Sequence, residues 1–292
     1  MSVVADQRGG LGRVRERRAE TFDRPRFLWV FTALMLVFLF VPVFVVILYS
    51  FNGQPSLVVM RGFSTQWYHE AITSGSWRGS LEVSVEIALV TMAACAVGGT
   101  LLAFGLDRAN RHLARASESM LVLRLVSPET ATAVASLLLF TQLGLTLSSQ
   151  TIVIAHIAVC LPFVAIVVRS RLALVNAELE DSAMDLGATR LRAIWLVVMP
   201  LLWPTLAAAS MLCFVLSFDD FITSLFTSGV GTPPLPVRIY SMLRTGVTPV
   251  VNASGVIMVL IAGGALVAAL AMMRVGRSRS SPARVTTETG VL

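Results

Sequence analysis

The sequence predicts an all-α integral membrane protein with six transmembrane helices. Hydrophobic residues make up 55% of the 292 positions and charged residues only 14%, whereas about a quarter of an average soluble domain is charged. Apolar runs long enough to cross a hydrocarbon core of about 30 Å recur along the chain. Their lengths are those of helices, because a membrane barrel requires alternating segments of about ten residues. The predicted spans are residues 27–49, 80–105, 121–142, 150–170, 201–226 and 251–273.

Arginine clusters orient these spans, because basic residues close to span ends are retained on the cytoplasmic side. All 23 basic residues are arginine, and 18 of them lie in the N-terminal tail, near 106–118, around 169–192 and beyond residue 273. Both termini are therefore predicted to be cytoplasmic. The expected organisation is a cytoplasmic basic tail over 1–26, a transmembrane domain over 27–275 and a cytoplasmic C-terminal tail over 276–292.

The net charge of +6 does not indicate a nucleic-acid partner. Each arginine cluster lies beside a predicted span, and none is interleaved with the aromatic residues on which single-stranded nucleic acids stack. Retention of positive charge on one side of the membrane accounts for the excess. The basic N-terminal tail is free to lie on anionic headgroups, so membrane lipid is the predicted partner of these clusters.

The first predicted external loop, residues 50–79, is the longest of the external connections. It contains Trp67, Tyr68 and Trp77, residue types that favour the boundary between membrane and water. A short interfacial helix is therefore expected over 65–72.

The other two predicted external loops are shorter or rich in proline. Only residues 143–149 separate the third and fourth spans, which predicts a tight hairpin. Four prolines interrupt residues 227–250, and proline disrupts helix interiors. No helix is therefore expected through Gly231–Pro236.

The largest predicted cytoplasmic insertion, residues 171–200, begins with a charged helix. This helix is expected to start near Asn176 and to end at Gly187, because glycine readily adopts the left-handed conformation of a helix stop. The positive end of the helix dipole stabilises negative charge in the first turns. The acidic residues assigned to those turns are Glu178, Glu180, Asp181 and Asp185.

A second helix is predicted after the glycine. Thr189 is a residue type that caps helices, and the expected helix, Arg190–Val198, ends against Pro200. Together the two helices form an elbow that projects toward the cytosol. A glycine between two helices is weak evidence of docking when taken alone.

The full spacing of this loop resembles the conserved loop of ABC importer permeases: Glu-Ala-Ala, three residues, Gly, nine residues, Ile, one residue, Leu-Pro. The matching positions are Asp181, Ser182, Ala183, Gly187, Val197, Met199 and Pro200. Every interval fits, while four side chains depart conservatively. The resemblance implies that a coupling helix within 176–199 inserts into a cleft of an ATPase subunit. The residues assigned to ATPase coupling are Asp181, Ser182, Ala183, Asp185, Gly187 and Pro200.

The resemblance covers about residues 80–273 and is closest to the spermidine and putrescine permeases of the second-subunit type. The stretches that carry it are Ala155-His156, Cys160 to Phe163, Ser170 to Leu172, Phe214, Ser217 to Asp220, Leu235-Pro236, Ile239 to Ser241, Gly246 to Pro249 and Val251 to Ala253. It implies a type I ABC importer permease fold with a cytoplasmic coupling helix. The implied function is to form half of the translocation path for putrescine or spermidine in a bacterial plasma (inner) membrane.

The same resemblance implies four kinds of partner: a second permease subunit, two ATP-binding subunits, an extracytoplasmic substrate-binding protein and membrane lipid. The chain has no P-loop, and it has no lysine with which to form one. It is therefore expected to be a non-catalytic subunit without a cofactor of its own, while the partner ATPase binds ATP and Mg. The cysteines and His156 lack the spacing of metal ligands, so no metal site is predicted.

Acidic residues within predicted spans are candidates for the substrate path, because a charge at bilayer depth costs at least about 2.5–3.5 kcal/mol. Asp219 and Asp220, between two phenylalanines, would offer a cation both carboxylates and aromatic faces. The alternative is a structural role at a helix break, and the sequence leaves open which aspartate faces the path. Glu129 follows Pro128 at a predicted helix restart. The predicted path residues are Asp219, Asp220, Glu86, Glu129, Phe218 and Phe221.

Three other functions fit parts of the sequence. The same architecture would import another small solute, such as aminoethylphosphonate or a thiamine-like cation, with only the cavity residues changed. A proton-driven secondary carrier would use the acidic residues without an ATPase, which the cytoplasmic loop argues against. An intramembrane aspartyl protease requires two convergent aspartates on different helices, whereas Asp219 and Asp220 are adjacent.

Overall fold

The computed structural model describes residues 26–56, 59–176, 178–246 and 248–279. The predicted N-terminal tail, apart from Arg26, and the chain beyond Arg279 lie outside the described residues. The described part is almost entirely helical. Its elements are α1 (Arg26–Ser50), α2 (Gln66–Thr73), α3 (Gly75–Arg108), α4 (Arg111–Val126), α5 (Glu129–Gln142), α6 (Ser149–Leu172), α7 (Glu178–Asp185), α8 (Arg190–Ala193), a π-helical turn (Ile194–Val198), α9 (Met199–Asp219), α10 (Ile222–Thr227), α11 (Leu235–Thr245) and α12 (Pro249–Arg279).

The chain divides into two compact units, residues 1–49 and 50–292. The first unit contains α1, whose segment Phe27–Ser50 is long and apolar enough to cross a membrane. Most of the large apolar side chains of α1 are exposed, as expected of a helix surrounded by lipid or by another apolar surface. The second unit contains α2 to α12 and both sites described below.

Within the described residues, five helical segments are long and apolar enough to cross a membrane, and the bent pair α4 and α5 gives a sixth crossing if it is counted as one span. The two helices are bent by 105° at Ser127–Pro128. Proline lacks an N–H and forces the preceding residue out of the helical region, and Ser127 accordingly has ψ of 134°. The sequence predicted a restart at Pro128 but not this sharp bend. The last helix, α12, continues to Arg279, past the predicted end of its span at residue 273.

The core of the second unit forms where α3, α6 and α9 pack against one another. Small residues allow the helices to approach closely: a Cβ placed on Gly99 would lie 2.8 Å from Cγ1 of Val164. Cys95, Cys160 and Cys213, one from each helix, are buried in the same cluster. They act as small packing residues, as their positions within spans predicted.

The loop before α2 is organised by the buried side chain of Asn52. Its Oδ1 accepts the N–H of Arg61 at 2.9 Å, and its backbone carbonyl accepts the Nε1–H of Trp67 at 2.6 Å. The helix that follows, Gln66–Thr73, confirms that a short helix forms over the predicted residues 65–72, and its place at the membrane–water boundary stays a prediction.

The other two predicted external loops contain a turn and a helix. Between α5 and α6, Gly144 has φ of 69°, a left-handed conformation that glycine adopts without strain, and it forms the expected hairpin. In the third loop α11 begins at Leu235, so the prediction of no helix through 231–236 is wrong at its last two residues. Pro236 lies in the first turn, where its missing N–H costs no helical hydrogen bond.

The fifth predicted span, 201–226, is also broken. Helix α9 ends at Asp219, Asp220 is extended with ψ of 101°, and α10 starts at Ile222. Helix α10 packs against α5 and α6. The continuations of the two broken spans therefore meet, which brings the break at Ser127–Pro128 close to the break at Asp220.

Candidate functional site

The first of two candidate sites is the coupling elbow, which we define as residues 176–193. Its first helix, α7, begins after Asn176, whose side-chain Oδ1 accepts the N–H of Glu178 at 3.1 Å. This bond satisfies an amide that has no partner within the helix. Asp185 is the last residue of α7, so its predicted place in the first turns is wrong. The acidic residues of the first turn, where the helix dipole stabilises negative charge, are Glu178, Glu180 and Asp181.

Gly187 ends α7, as predicted, and its φ is 90°. The N–H of Gly187 donates to the carbonyl of Met184 at 2.9 Å, and the N–H of Ala188 donates to the carbonyl of Ala183 at 3.1 Å. These two bonds are the Schellman pattern of a helix C-terminus. A Cβ on Gly187 would meet no atom within 4 Å. Glycine is therefore required here for its backbone conformation and not for space.

The coupling elbow presents apolar side chains on an otherwise charged surface. None of the residues Glu178–Asp185 is buried. Leu186, at the turn, is 90% exposed, and Leu179 and Met184 are exposed as well. Apolar surface surrounded by polar residues marks an interaction site. Leu186 was not among the residues that the sequence assigned to ATPase coupling.

The second helix of the elbow differs from its prediction. Thr189 is at the N-cap position of α8, but its side chain makes no capping hydrogen bond. The helix does not end against Pro200, because α8 continues through the π-helical turn directly into α9. Proline cannot donate the usual helical hydrogen bond, and the wider turn at Ile194–Val198 accommodates the missing bond. Uninterrupted helical backbone therefore joins the coupling elbow to α9.

The second candidate site is a cavity of 240 Å³ between the two helix breaks, which we call the acidic cavity. The packing of α5 against α10 brings Glu129 and Asp220 to its lining, although they are far apart in sequence. Backbone that leaves a helix at membrane depth is tolerated where it lines a cavity. The polar residues of the lining are Arg124, Ser127, Glu129 and Asp220.

Asp220 is 8% exposed and joins the helix break to α6. Its Oδ1 accepts the N–H of Thr223 in α10 at 2.8 Å, and its Oδ2 lies 3.6 Å from Nε2 of His156. The imidazole is itself held between two hydroxyls, with Nδ1 2.7 Å from Oγ of Ser217 and Nε2 3.1 Å from Oγ of Ser224. His156 is thus a hydrogen-bonded core residue, as expected, and its ring lies close to Asp220.

Acidic side chains outnumber basic side chains at the acidic cavity. Asp219 is exposed and interacts electrostatically with both Asp220 and Glu129. Arg124 is the one cation of the lining, and its Nη2 is buried with no hydrogen-bond partner in the described part of the chain. The lining therefore contains two carboxyl groups, Glu129 and Asp220, and one guanidinium, and Asp219 adds a third carboxyl group beside them. Of the two aspartates, Asp220 both lines the cavity and caps α10.

The remaining predicted path residues lie elsewhere. Glu86 lines a separate cavity of 370 Å³ with Ser149 and Gln150. Phe218 is 1% exposed and stacks on Phe214 in the core, with ring centroids 5.6 Å apart. The ring of Phe221 is 4.7 Å from that of Tyr240. Neither phenylalanine lines the acidic cavity. Among the described residues, no three His, Cys, Asp or Glu side chains are grouped to hold a metal ion.

No protein-family model matches the chain, but curated proteins do. The chain is 34% identical over 236 residues to the putrescine transport system permease protein PotI of Escherichia coli K12, covering 77% of this chain and 83% of that protein. It is 31% identical over 250 residues to the spermidine/putrescine transport system permease protein PotC of the same strain, covering 86% and 94%. The corresponding PotC of Haemophilus influenzae is 32% identical over 231 residues, covering 79% and 90%.

Solved structures share the fold. A chain of a bacterial ABC transporter that imports the acidic polysaccharide alginate superposes with a TM-score of 0.67 at 16% identity, covering 91% of this chain and all of that one. A chain of the inward-facing MetNI methionine ABC transporter gives a TM-score of 0.55 at 18% identity, covering 70% and 99%. At these identities the likeness concerns the fold alone.

Proposed function

Because the chain belongs to the family of spermidine and putrescine ABC transporter permease subunits, we propose that it forms half of the translocation path for a polyamine. In this proposal it pairs with a second permease subunit, two ATP-binding subunits and an extracytoplasmic binding protein. The chain lies in the plasma (inner) membrane of a bacterium, with both termini and the coupling elbow on the cytoplasmic side. The chain itself catalyses no reaction.

The acidic cavity is the observation that favours a polyamine as the substrate. A polyamine is a chain of methylenes with a cationic amine at each end, and it loses hydration on entering a narrow path. Glu129, Asp219 and Oδ2 of Asp220 would replace that hydration with charge-assisted hydrogen bonds. An anionic substrate would be repelled by the same groups.

The coupling elbow supplies the link to ATP. The ATPase subunits would bind ATP and Mg, and the exposed Leu186 together with α7 would occupy a cleft in one of them. Closure of the ATPase pair would draw the two elbows of the permease pair together. Since helical backbone joins the elbow to α9, this movement would reach Asp219 and Asp220 at the far end of that helix and open the cavity to the binding protein.

ATPase measurements on the reconstituted complex test the proposal. The chain is co-expressed with the transporter subunits encoded beside it and placed in nanodiscs with the binding protein. We expect putrescine or spermidine to stimulate hydrolysis, and aminoethylphosphonate and thiamine to leave it at the basal rate. Stimulation by one of the latter compounds alone would keep the architecture and contradict the polyamine substrate. The absence of an associated ATPase would contradict the importer itself.

Removal of charge from the acidic cavity tests the site. Asp220→Asn keeps the Oδ1 that accepts the N–H of Thr223 but removes the carboxylate charge. We expect polyamine uptake to fall about tenfold or more, because a hydrogen bond to a charged group is worth about 1.5–3 kcal/mol. Glu86→Asn, in the separate cavity, serves as the control and should leave uptake unchanged. Equal uptake by the wild type and Asp220→Asn would remove the acidic cavity from the path.

A further inference from the structure

A second connection fastens the coupling elbow to the membrane helices. The carboxylate of Glu180 in α7 accepts hydrogen bonds from Nη2 of Arg108, at 2.9 Å to Oε1 and 3.1 Å to Oε2. Oε1 also accepts a longer bond, 3.3 Å, from Nε of Arg190. Among the described residues, the ion pairs that join α7 to other elements both involve Glu180.

Burial distinguishes the two arginines. The side chains of Glu180 and Arg108 are only 20% and 30% exposed, whereas that of Arg190 is 65% exposed. Partial removal from water strengthens the attraction of the Arg108 pair. The guanidinium of Arg108 also lies over the ring of Phe104, 5.4 Å from its centroid, which limits its freedom to move away. The Arg108 pair is therefore the firmer of the two contacts.

Arg108 is the last residue of α3, and α3 is the longest helix of the second unit. Its 34 residues extend over about 50 Å at 1.5 Å per residue. It packs along α6 and α9 for much of that length, and the close approach of Gly99 to Val164 leaves no space for α3 to slide freely. Helix α3 is thus placed to move as a rigid element.

The opposite end of α3 is tied to α11. Oγ of Ser84 accepts the N–H of Leu235, the first residue of α11, at 2.7 Å in a buried position. The guanidinium of Arg238 in α11 lies 5.0 Å from the ring centroid of Trp77 in α3. A force applied at Arg108 would therefore reach α11, which the proposed orientation places at the extracytoplasmic face.

We propose that Glu180 and Arg108 are positioning residues that couple the elbow to α3, and through α3 to the extracytoplasmic helix α11. This inference rests on the proposed function, because it requires an ATPase on the elbow and a binding protein at the opposite face. The backbone path through α8 and α9 moves the acidic cavity. The path through Glu180, Arg108 and α3 moves the surface that the binding protein contacts, so both faces respond to one ATPase closure.

A double-mutant cycle tests the coupling in the reconstituted complex. Arg108→Gln and Glu180→Gln should each lower the stimulation of ATP hydrolysis by the loaded binding protein about fivefold, which is the most that one partly exposed ion pair supplies. The double variant should be no worse than either single variant. Basal hydrolysis and co-purification of the ATPase should stay at wild-type levels in Arg108→Gln, because Arg108 lies in α3, outside the elbow that docks on the ATPase.

Two further variants separate the ion pair from a general effect of charge. Arg108→Lys keeps the positive charge and should recover at least about half of the stimulation. Arg190→Gln removes the exposed partner of the same carboxylate, and it should stay within about twofold of the wild type. Wild-type stimulation in Glu180→Gln, or additive losses in the double variant, would overturn the inference. A wild-type complex that binds no ATPase, or that no polyamine stimulates, would overturn the proposed function instead.

Discussion

The coupling elbow and the acidic cavity both lie at helix ends, but they are built in opposite ways. The elbow consists of consecutive residues, its helix α7 has no buried side chain, and backbone hydrogen bonds around Gly187 give it its shape. The cavity combines residues from four helices and two helix breaks. Its shape depends on buried side-chain bonds such as that between His156 and Ser217.

This difference separates two kinds of sensitivity to mutation. In the elbow the backbone conformation is fixed, while most side chains other than Glu180 are free to vary, and the four conservative departures from the residue types of the family motif illustrate that freedom. In the cavity, the side chains that line the path also hold the break between α9 and α10 in place. Substitutions there are expected to change stability and transport together.

The largest expected effect comes from Gly187→Pro, which tests the backbone requirement of the elbow. Proline fixes φ near −65°, whereas this position has φ of 90°, and an incompatible proline costs about 3 kcal/mol or more. We expect ATP-driven uptake to fall about 100-fold, in proportion to that free energy, and the ATPase to be lost on purification. The melting temperature of the permease alone should change little, since Gly187 packs against nothing.

Gly187→Asn is the matched control for that experiment. Asparagine enters the left-handed region more readily than other residues with a side chain, and there is open space for it. We expect this variant to retain the ATPase and to keep uptake within about fivefold of the wild type. Normal uptake by Gly187→Pro would contradict the contrast between the elbow and the cavity. The function of the elbow would then not depend on the left-handed backbone conformation of Gly187.

A smaller effect, but one on both stability and uptake, is expected of His156→Ala beside the cavity. The substitution leaves the hydroxyls of Ser217 and Ser224 without their buried partner. Each unsatisfied buried group costs about 1–3 kcal/mol, so the melting temperature in detergent should fall by at least about 5 °C. Uptake should fall as well, because the imidazole joins Ser217 in α9 to Ser224 in α10 across the break at Asp220, while the ATPase should still bind to the folded fraction.

His112→Ala serves as the control for this variant, because His112 is exposed in α4. It should leave both melting temperature and uptake unchanged. A loss of uptake in His156→Ala without any loss of stability would contradict the claim that the cavity joins the two properties. A loss of stability without a loss of uptake would contradict it equally.

The same contrast explains how much could be predicted from the sequence. Composition and run length predicted the membrane helices, because a span is defined by its own residues. The elbow was predicted by its spacing, since Asp181 to Gly187 are consecutive and their geometry is local. Its continuation was not, because whether a helix stops at Pro200 or passes it depends on the turn at Ile194–Val198, which no residue type marks.

The acidic cavity could be predicted only in part. Glu129, Asp219 and Asp220 were recognised as costly charges, but nothing in the sequence indicates that α5 and α10 pack together or that α4 and α5 are bent by 105°. Phe218 was assigned to the path because it precedes the aspartates. Adjacent helical residues point about 100° apart, and the side chain of Phe218 points into the core.

The smallest expected effect, Leu186→Ala, asks whether one exposed side chain anchors the elbow to its partner. Covering a leucine is worth about 1.5 kcal/mol or more, so we expect the ATPase to bind about tenfold more weakly, as measured by titration of the ATPase onto nanodiscs. The melting temperature should not change, because Leu186 is 90% exposed in the chain alone. Leu174→Ala is the control, since Leu174 is also exposed but precedes the elbow. If both variants weakened ATPase binding equally, the contact with the ATPase would be distributed along the loop, and Leu186 would not be a specific anchor.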